Sequence, residues 1–143
     1  LMNASRTQLV REVIRPALAA GEVVLCDRFY DSTTVYQGAG RGLDTVHVRT
    51  VIDFAVAETH PDLTILLKIP LKISEKRRAK RYGSDRFESA NREFFERIEA
   101  GYAALSKATP DRIKAIDANR PLENVQADIM AAVSTALKIA DSR

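Results

Sequence analysis

Short, mainly apolar runs alternate here with longer stretches of helical spacing, and no other feature constrains the fold of this chain as tightly. The runs are residues 23–26 (Val-Val-Leu-Cys), 63–69 (Leu-Thr-Ile-Leu-Leu-Lys-Ile) and 113–116 (Ile-Lys-Ala-Ile). Runs of that length with helices between them suit strands covered on both faces. The pattern predicts an α/β protein with a parallel, doubly wound sheet, whose ligands sit where strands run into their following connections.

The intervening stretches supply the helices. Residues 3–19 read as one helix, with Leu9, Val13 and Leu18 among its apolar positions and Gly21 as its stop. Asp31 or Ser32 can cap a brief helix over 34–37, and a glycine loop is expected over 38–42. Asp44 is the predicted cap of a helix carrying Val48, Val51, Ile52 and Ala55, ended by His60-Pro61. Pro70 and Pro121 stand where helices begin. The longest helical pattern places Phe87, Phe94, Phe95, Ile98, Tyr102 and Leu105 on one stripe, and the last helix does the same with Val125, Ile129, Val133 and Leu137. No repeat, low-complexity segment or linker divides the 143 residues, so they read as part of a single domain.

Composition narrows the function classes. With 45% hydrophobic and 29% charged residues the chain is neither disordered nor fibrous. The net charge of +3 is mild, and the basic run Lys76-Arg77-Arg78-Ala79-Lys80-Arg81 has no aromatic residues interleaved, so nucleic acid is not the expected partner. No apolar run is long enough to span a bilayer, and no membrane partner is expected. The single cysteine, Cys26, excludes an internal disulfide and suits a reducing cytoplasm; within its apolar run it reads as an inert core thiol. His47 and His60 lack ligand spacing with any cysteine and read as surface residues.

The chemistry concentrates after the first run. Asp27-Arg28-Phe29 is followed by Ser32-Thr33 and by Tyr36-Gln37-Gly38-Ala39-Gly40-Arg41-Gly42. A carboxylate can hold a hydrated Mg²⁺, and a neighbouring guanidinium can clamp phosphate oxygens with two hydrogen bonds. Glycines and small hydroxyl residues let backbone and ligand approach closely. Farther along, Arg77 and Arg81 are four residues apart and share a helix face, so both can aim at one site.

The spacing Asp-Arg-x-x-x-Ser-Thr-x-x-Tyr-Gln-Gly-x-Gly-Arg-Gly closely resembles thymidylate kinase of the bacterial type, over essentially the whole chain. The resemblance implies an α/β fold of the P-loop nucleoside monophosphate kinase class, with a parallel sheet and helices on both faces. That family opens with Gly-x-x-x-x-Gly-Lys-[Ser/Thr], which does not occur here, and the first residue is Leu1. The expectation is therefore a C-terminal portion of a longer kinase, its N-terminal strands missing, spanning 1–143 with a LID segment at about 77–88.

The implied activity moves the γ-phosphate of ATP to dTMP, giving dTDP, with Mg²⁺ and as a cytoplasmic homodimer. Arg28 would contact the acceptor phosphate and Asp27 would work near the metal through water. Arg77 and Arg81 would act from the LID on the transferring phosphates. Arg6 would read the thymine edge, while Ser32, Thr33, Tyr36 and Gln37 would line the nucleoside, Tyr36 against the sugar. Met2 stands where the family stacks an aromatic on the base, which leaves a related kinase of different base selectivity open. A non-catalytic fragment or degenerate homologue that only binds nucleotide or a partner is the reading from another class. Arg41 would reach a phosphate or brace its own loop, and Asn119 and Arg120 fall where the family's adenine pocket closes.

Overall fold

The computed structural model describes residues 2–82 and 89–137, with the side chains at 78–82 and 89–91 left aside. It falls into two compact units, Leu1–His60 and Pro61–Arg143.

The first unit opens with a helix in three pieces: α1 (Met2–Leu9), a π-helical turn at Val10–Ile14, and α2 (Arg15–Ala19). The wide turn has a cause in the sequence. Pro16 has no N–H, and its ring would strike the carbonyl of Glu12, four residues earlier, in a regular helix. Widening the preceding turn, so that the Arg15 N–H reaches back to the Val10 carbonyl, lets the helix pass through the proline. It ends as expected. Gly21 takes φ +79°, its N–H bonds the Leu18 carbonyl at 3.0 Å, and Glu22 N–H bonds the Ala17 carbonyl at 3.0 Å, a Schellman closure.

Residues 23–26 do not form the predicted strand. They run without a ladder partner among the described residues, and Val23 and Leu25 are 72% and 98% exposed. An apolar run becomes a strand only when a neighbour takes up its N–H and C=O groups and covers its side chains. Cys26 is accordingly exposed, not a core thiol.

The brief helix begins earlier than expected, as α3 (Tyr30–Thr33), so Asp31 lies buried in its first turn instead of capping it. The expected 38–42 glycine loop is largely helical as well. A second π-helical stretch, Thr34–Gly40, carries the chain through the glycines and closes at Gly42, φ +68°. Gly38 lies buried with Thr45 Cγ2 3.6 Å from where a β-carbon would sit. Next comes α4 (Thr45–Val56), capped by Asp44, whose carboxylate accepts from Val46 N–H at 2.7 Å and His47 N–H at 3.2 Å. The core of this unit is Val10, Ile14, Val35, Ile52, Ala55 and Val56. Leu9, Val13 and Leu18 are exposed instead, while Val10 and Ile14 of the π turn are the helix's buried residues.

The second unit follows its sequence closely. Strand β1 (Thr64–Lys68) pairs in parallel with β2 (Ile113–Asp117), Leu66 opposite Ala115. Between them run α5 (Leu71–Tyr82) and α6 (Ser89–Ala108), and α7 (Leu122–Ala136) completes the chain. Pro70 and Pro121 sit just before their helices, and their carbonyls accept the first helical bonds, from Ile73 at 2.9 Å and Asn124 at 3.1 Å. Ile98, Ile113, Ile116 and Val125 are buried together where α6 and α7 pack on β2. Leu67 remains 53% exposed, so β1 is not covered throughout. Phe87 lies outside the described residues.

Candidate functional site

The residues singled out around Asp27 lie in the first unit, where the structure joins two pairs of side chains. Arg28 stands directly after the extended run with φ +64°, a left-handed conformation uncommon outside glycine, and such strain persists where the surroundings over-determine it. Its guanidinium is fixed twice by one ring: Nη2 donates to the Tyr36 hydroxyl at 3.0 Å, and Cζ lies 5.2 Å from the Tyr36 centroid. Tyr36 occupies the π-helical stretch, so the wide turn determines where Arg28 is held.

A second guanidinium lies in the same unit. Arg6, on α1, donates from Nη2 to Thr33 Oγ1 at 2.8 Å and from Nη1 to Asn3 Oδ1, and rests over the Phe29 ring at 5.6 Å. Partial burial draws Arg6 below the usual arginine value, the smaller opposing cause being the charge Cys26 would carry as a thiolate. An arginine accepts that desolvation when its donors are engaged and its plane is stacked. Thr33 is buried, and Ser32 and Gln37 are half-buried.

Asn3, Thr33, Gln37, Asp44 and His47 form the polar lining of a cavity of about 300 Å³, with Leu43, Val48 and Val51 supplying apolar lining. That size and mixed lining suit a small ring with polar edges. Asp27 is exposed beside Arg28, and Met2 is 61% exposed at the start of α1. Arg41 is exposed at the end of the glycine stretch, where its N–H bonds the Tyr36 carbonyl at 3.1 Å, consistent with bracing its own loop.

The second unit carries the other expected residues. Arg77 is exposed on α5. The Arg81 side chain, with those of Arg78 and Lys80, and the 83–88 part of the LID lie outside the described residues. Arg120 is structurally occupied: Nε donates to the Asp117 carbonyl at 3.0 Å and Nη2 to the Asp128 carboxylate, which ties β2 to α7, and the Asp128 bond is the main cause that raises its pKa. Asn119 N–H bonds Asp117 Oδ1 at 2.9 Å in the same connection.

Sequence reasoning missed Phe29 and Asn3 as partners of Arg6. Asn3 is three residues before it on one helix face, a spacing that brings side chains together. Phe29 lay inside the quoted motif but gave no signal of the distant arginine it would support.

This α/β chain holds two guanidiniums engaged in pairs, Arg28 with Tyr36 and Arg6 with Thr33, and Thr33 also lines the small cavity; donors of that kind suit a phosphate-bearing ligand. Comparison with known proteins makes the class specific. Residues 1–129 match the sequence profile of thymidylate kinase. The chain is 46% identical over 126 residues to the thymidylate kinase of Alcanivorax borkumensis, covering 88% of this chain and 61% of that protein. It is 45% identical over 145 residues to that of Desulfovibrio desulfuricans, covering 96% and 67%. The crystal structure of the Ehrlichia chaffeensis thymidylate kinase superposes with a TM-score of 0.70 at 24% identity, over 92% of this chain and 59% of that one. The chain belongs to the thymidylate kinase family, and the expected nucleoside monophosphate kinase-like α/β class is borne out. It spans roughly three-fifths to two-thirds of the length of these relatives.

Proposed function

We propose that this chain forms the acceptor half of an ATP-dependent thymidylate kinase, which moves the γ-phosphate of ATP to dTMP and releases dTDP. The observation that carries the reading is the Arg28 guanidinium held on Tyr36 in the same small unit as the Arg6–Thr33 pair. Phosphoryl transfer asks a protein mainly to align two phosphates and offset their charge. A guanidinium fixed in advance does both, because little freedom remains to be lost when the phosphate arrives.

In this reading Arg28 binds the acceptor phosphate through two of its N–H groups while Tyr36 steadies it from behind. The Tyr36 ring packs beside the deoxyribose, where a 2′-hydroxyl would collide. Arg6 and Thr33 address the thymine edge, Gln37 offers a further donor and acceptor, Ser32 lines the nucleoside, and Met2 lies against the base as a polarisable surface. Arg77 and Arg81 act late, closing over the transferring phosphates and excluding water.

Asp27 is an exposed hard-oxygen donor, and no group of three or more metal-ligating side chains occurs among the described residues. A lone carboxylate fits Mg²⁺, which keeps most of its waters and shares substrate phosphates. Asp27 would hold it through water, and the ion would supply charge neutralisation.

Two further parts of the proposal concern assembly and place. Phe54 projects from α4 at 83% exposure, beside exposed Val51, while Val56 is wholly buried in its own subunit. We place the contact between two copies on that helix; light scattering on the full-length protein should show a dimer that Phe54→Glu dissociates. No helix among the described residues is long and apolar enough to cross a membrane, and a lone cysteine suits the cytoplasm.

A coupled assay tests the activity. The full-length protein should phosphorylate dTMP in preference to UMP and dCMP. The 143-residue polypeptide, which contains no Gly-x-x-x-x-Gly-Lys-[Ser/Thr] cradle, should not. Preference for another base, or robust turnover by the short polypeptide, would overturn the reading.

A further inference from the structure

We propose that His60 is a positioning residue for Arg6, acting through a stack of rings that links the turn after α4 to the base-reading arginine. The inference rests on the proposed role of Arg6. The contacts are continuous. Arg6 Cζ lies 5.6 Å from the Phe29 centroid. The Phe29 and Tyr30 rings are 5.2 Å apart and tilted by 52°. Tyr30 meets His60 edge-on, at 5.8 Å and 89°, and its hydroxyl lies 3.2 Å from His60 Nδ1.

His60 is thirty residues from Tyr30, so no helical spacing brings the two together. A turn held at two points does. Ala57 takes φ +50° and ψ −122°, and Thr59 N–H closes on the Val56 carbonyl at 3.0 Å. Arg15 Nε then donates to Thr59 Oγ1 at 2.9 Å, anchoring the turn to α2. A left-handed alanine costs on the order of 1 kcal/mol or more, so the conformation persists only because other contacts maintain it.

The chemistry of the stack is specific. Arg6 rests on the face of Phe29, and that face is set by Tyr30 next to it in sequence. The imidazole limits the rotamers Tyr30 can visit, by its edge and by its ring nitrogen. Removing the imidazole frees Tyr30, loosens Phe29 and blurs the plane on which Arg6 sits. Arg6 keeps Asn3 and Thr33, so the loss is partial. His60 itself touches no substrate in this account.

The test uses the full-length protein and the Michaelis constant for dTMP. His60→Ala should raise it about threefold with kcat unchanged, within the range of one lost hydrogen bond. His60→Asn, which keeps a polar atom near the Nδ1 position, should recover most of that change. In an Arg6→Ala background, itself raised about tenfold, His60→Ala should add nothing, because no positioned group remains. Additive effects in the two backgrounds, a parallel fall in kcat, or no change from His60→Ala would overturn the positioning role and leave the Arg6 reading intact. An Arg6→Ala protein with normal affinity for dTMP would overturn both.

Discussion

The Pro61–Arg143 unit is built as its local sequence dictates, whereas the Leu1–His60 unit departs from local rules at nearly every connection. In the former, prolines precede helices and apolar runs pair as strands. In the latter, two turns widen to π geometry, Arg28 and Ala57 take positive φ, and the run at 23–26 stays unpaired. Three of the departures fall on residues of the candidate site or of the proposed stack: the second π stretch carries Tyr36 and Gln37, the strained residue is Arg28, and the strained Ala57 turn precedes His60. Local consistency is what makes a sequence fold, and natural proteins relax it where function requires another geometry.

The largest expected effect falls on the strained arginine. Arg28→Ala should lower kcat/KM of the full-length enzyme by about 10²–10³, roughly 3–4 kcal/mol of transition-state stabilisation. Steady-state kinetics check this; unchanged constants in a folded variant would make the strain at Arg28 a structural accident.

Stability separates core from site in the same unit. Ile52 is buried at the centre of the first unit, so Ile52→Ala should cost about 2–4 kcal/mol, read from denaturant midpoints at constant m. Arg28→Ala, on an exposed side chain, should cost much less.

Arg6→Ala should raise KM for dTMP about tenfold, roughly 1.4 kcal/mol, and spare kcat more than Arg28→Ala does. A mainly kcat-directed loss would move Arg6 from base recognition to the transferring phosphate.

The smallest effects probe backbone strain alone. Ala57→Gly should stabilise by about 1 kcal/mol, because glycine takes positive φ at little cost. Gly21→Ala should destabilise by a similar amount, and nothing lies within 4 Å of the added carbon to confuse the result. Thermal melts of both variants decide whether the two positions mirror one another.

How much of this was legible follows the same division. The 63–69 and 113–116 runs were read correctly, as were the Asp44 cap, the Gly21 stop and the helices after Pro70 and Pro121, because their causes lie within a few residues. The family resemblance names Arg6, Arg28, Thr33 and Tyr36, and the structure joins them in the pairs Arg6–Thr33 and Arg28–Tyr36. The strand at 23–26 failed because apolarity reports that a run wants covering, not that a neighbour is there. The expected glycine loop is instead a wide helical turn, because glycine's freedom also permits backbone bonds that reach five residues back, as from Arg41 N–H to the Tyr36 carbonyl. Phe29 beneath Arg6 was invisible because a cation–π contact across 23 positions leaves no periodic trace.

The central claim is that Arg28 reads phosphate and Arg6 reads the base. Calorimetric titration of the full-length protein with dTMP and, separately, with thymidine tests it most directly. The account predicts that Arg28→Ala weakens dTMP about tenfold to a hundredfold, as for a lost charge-assisted hydrogen bond, and leaves thymidine unchanged. Equal losses for the two ligands, or none for either, would contradict it.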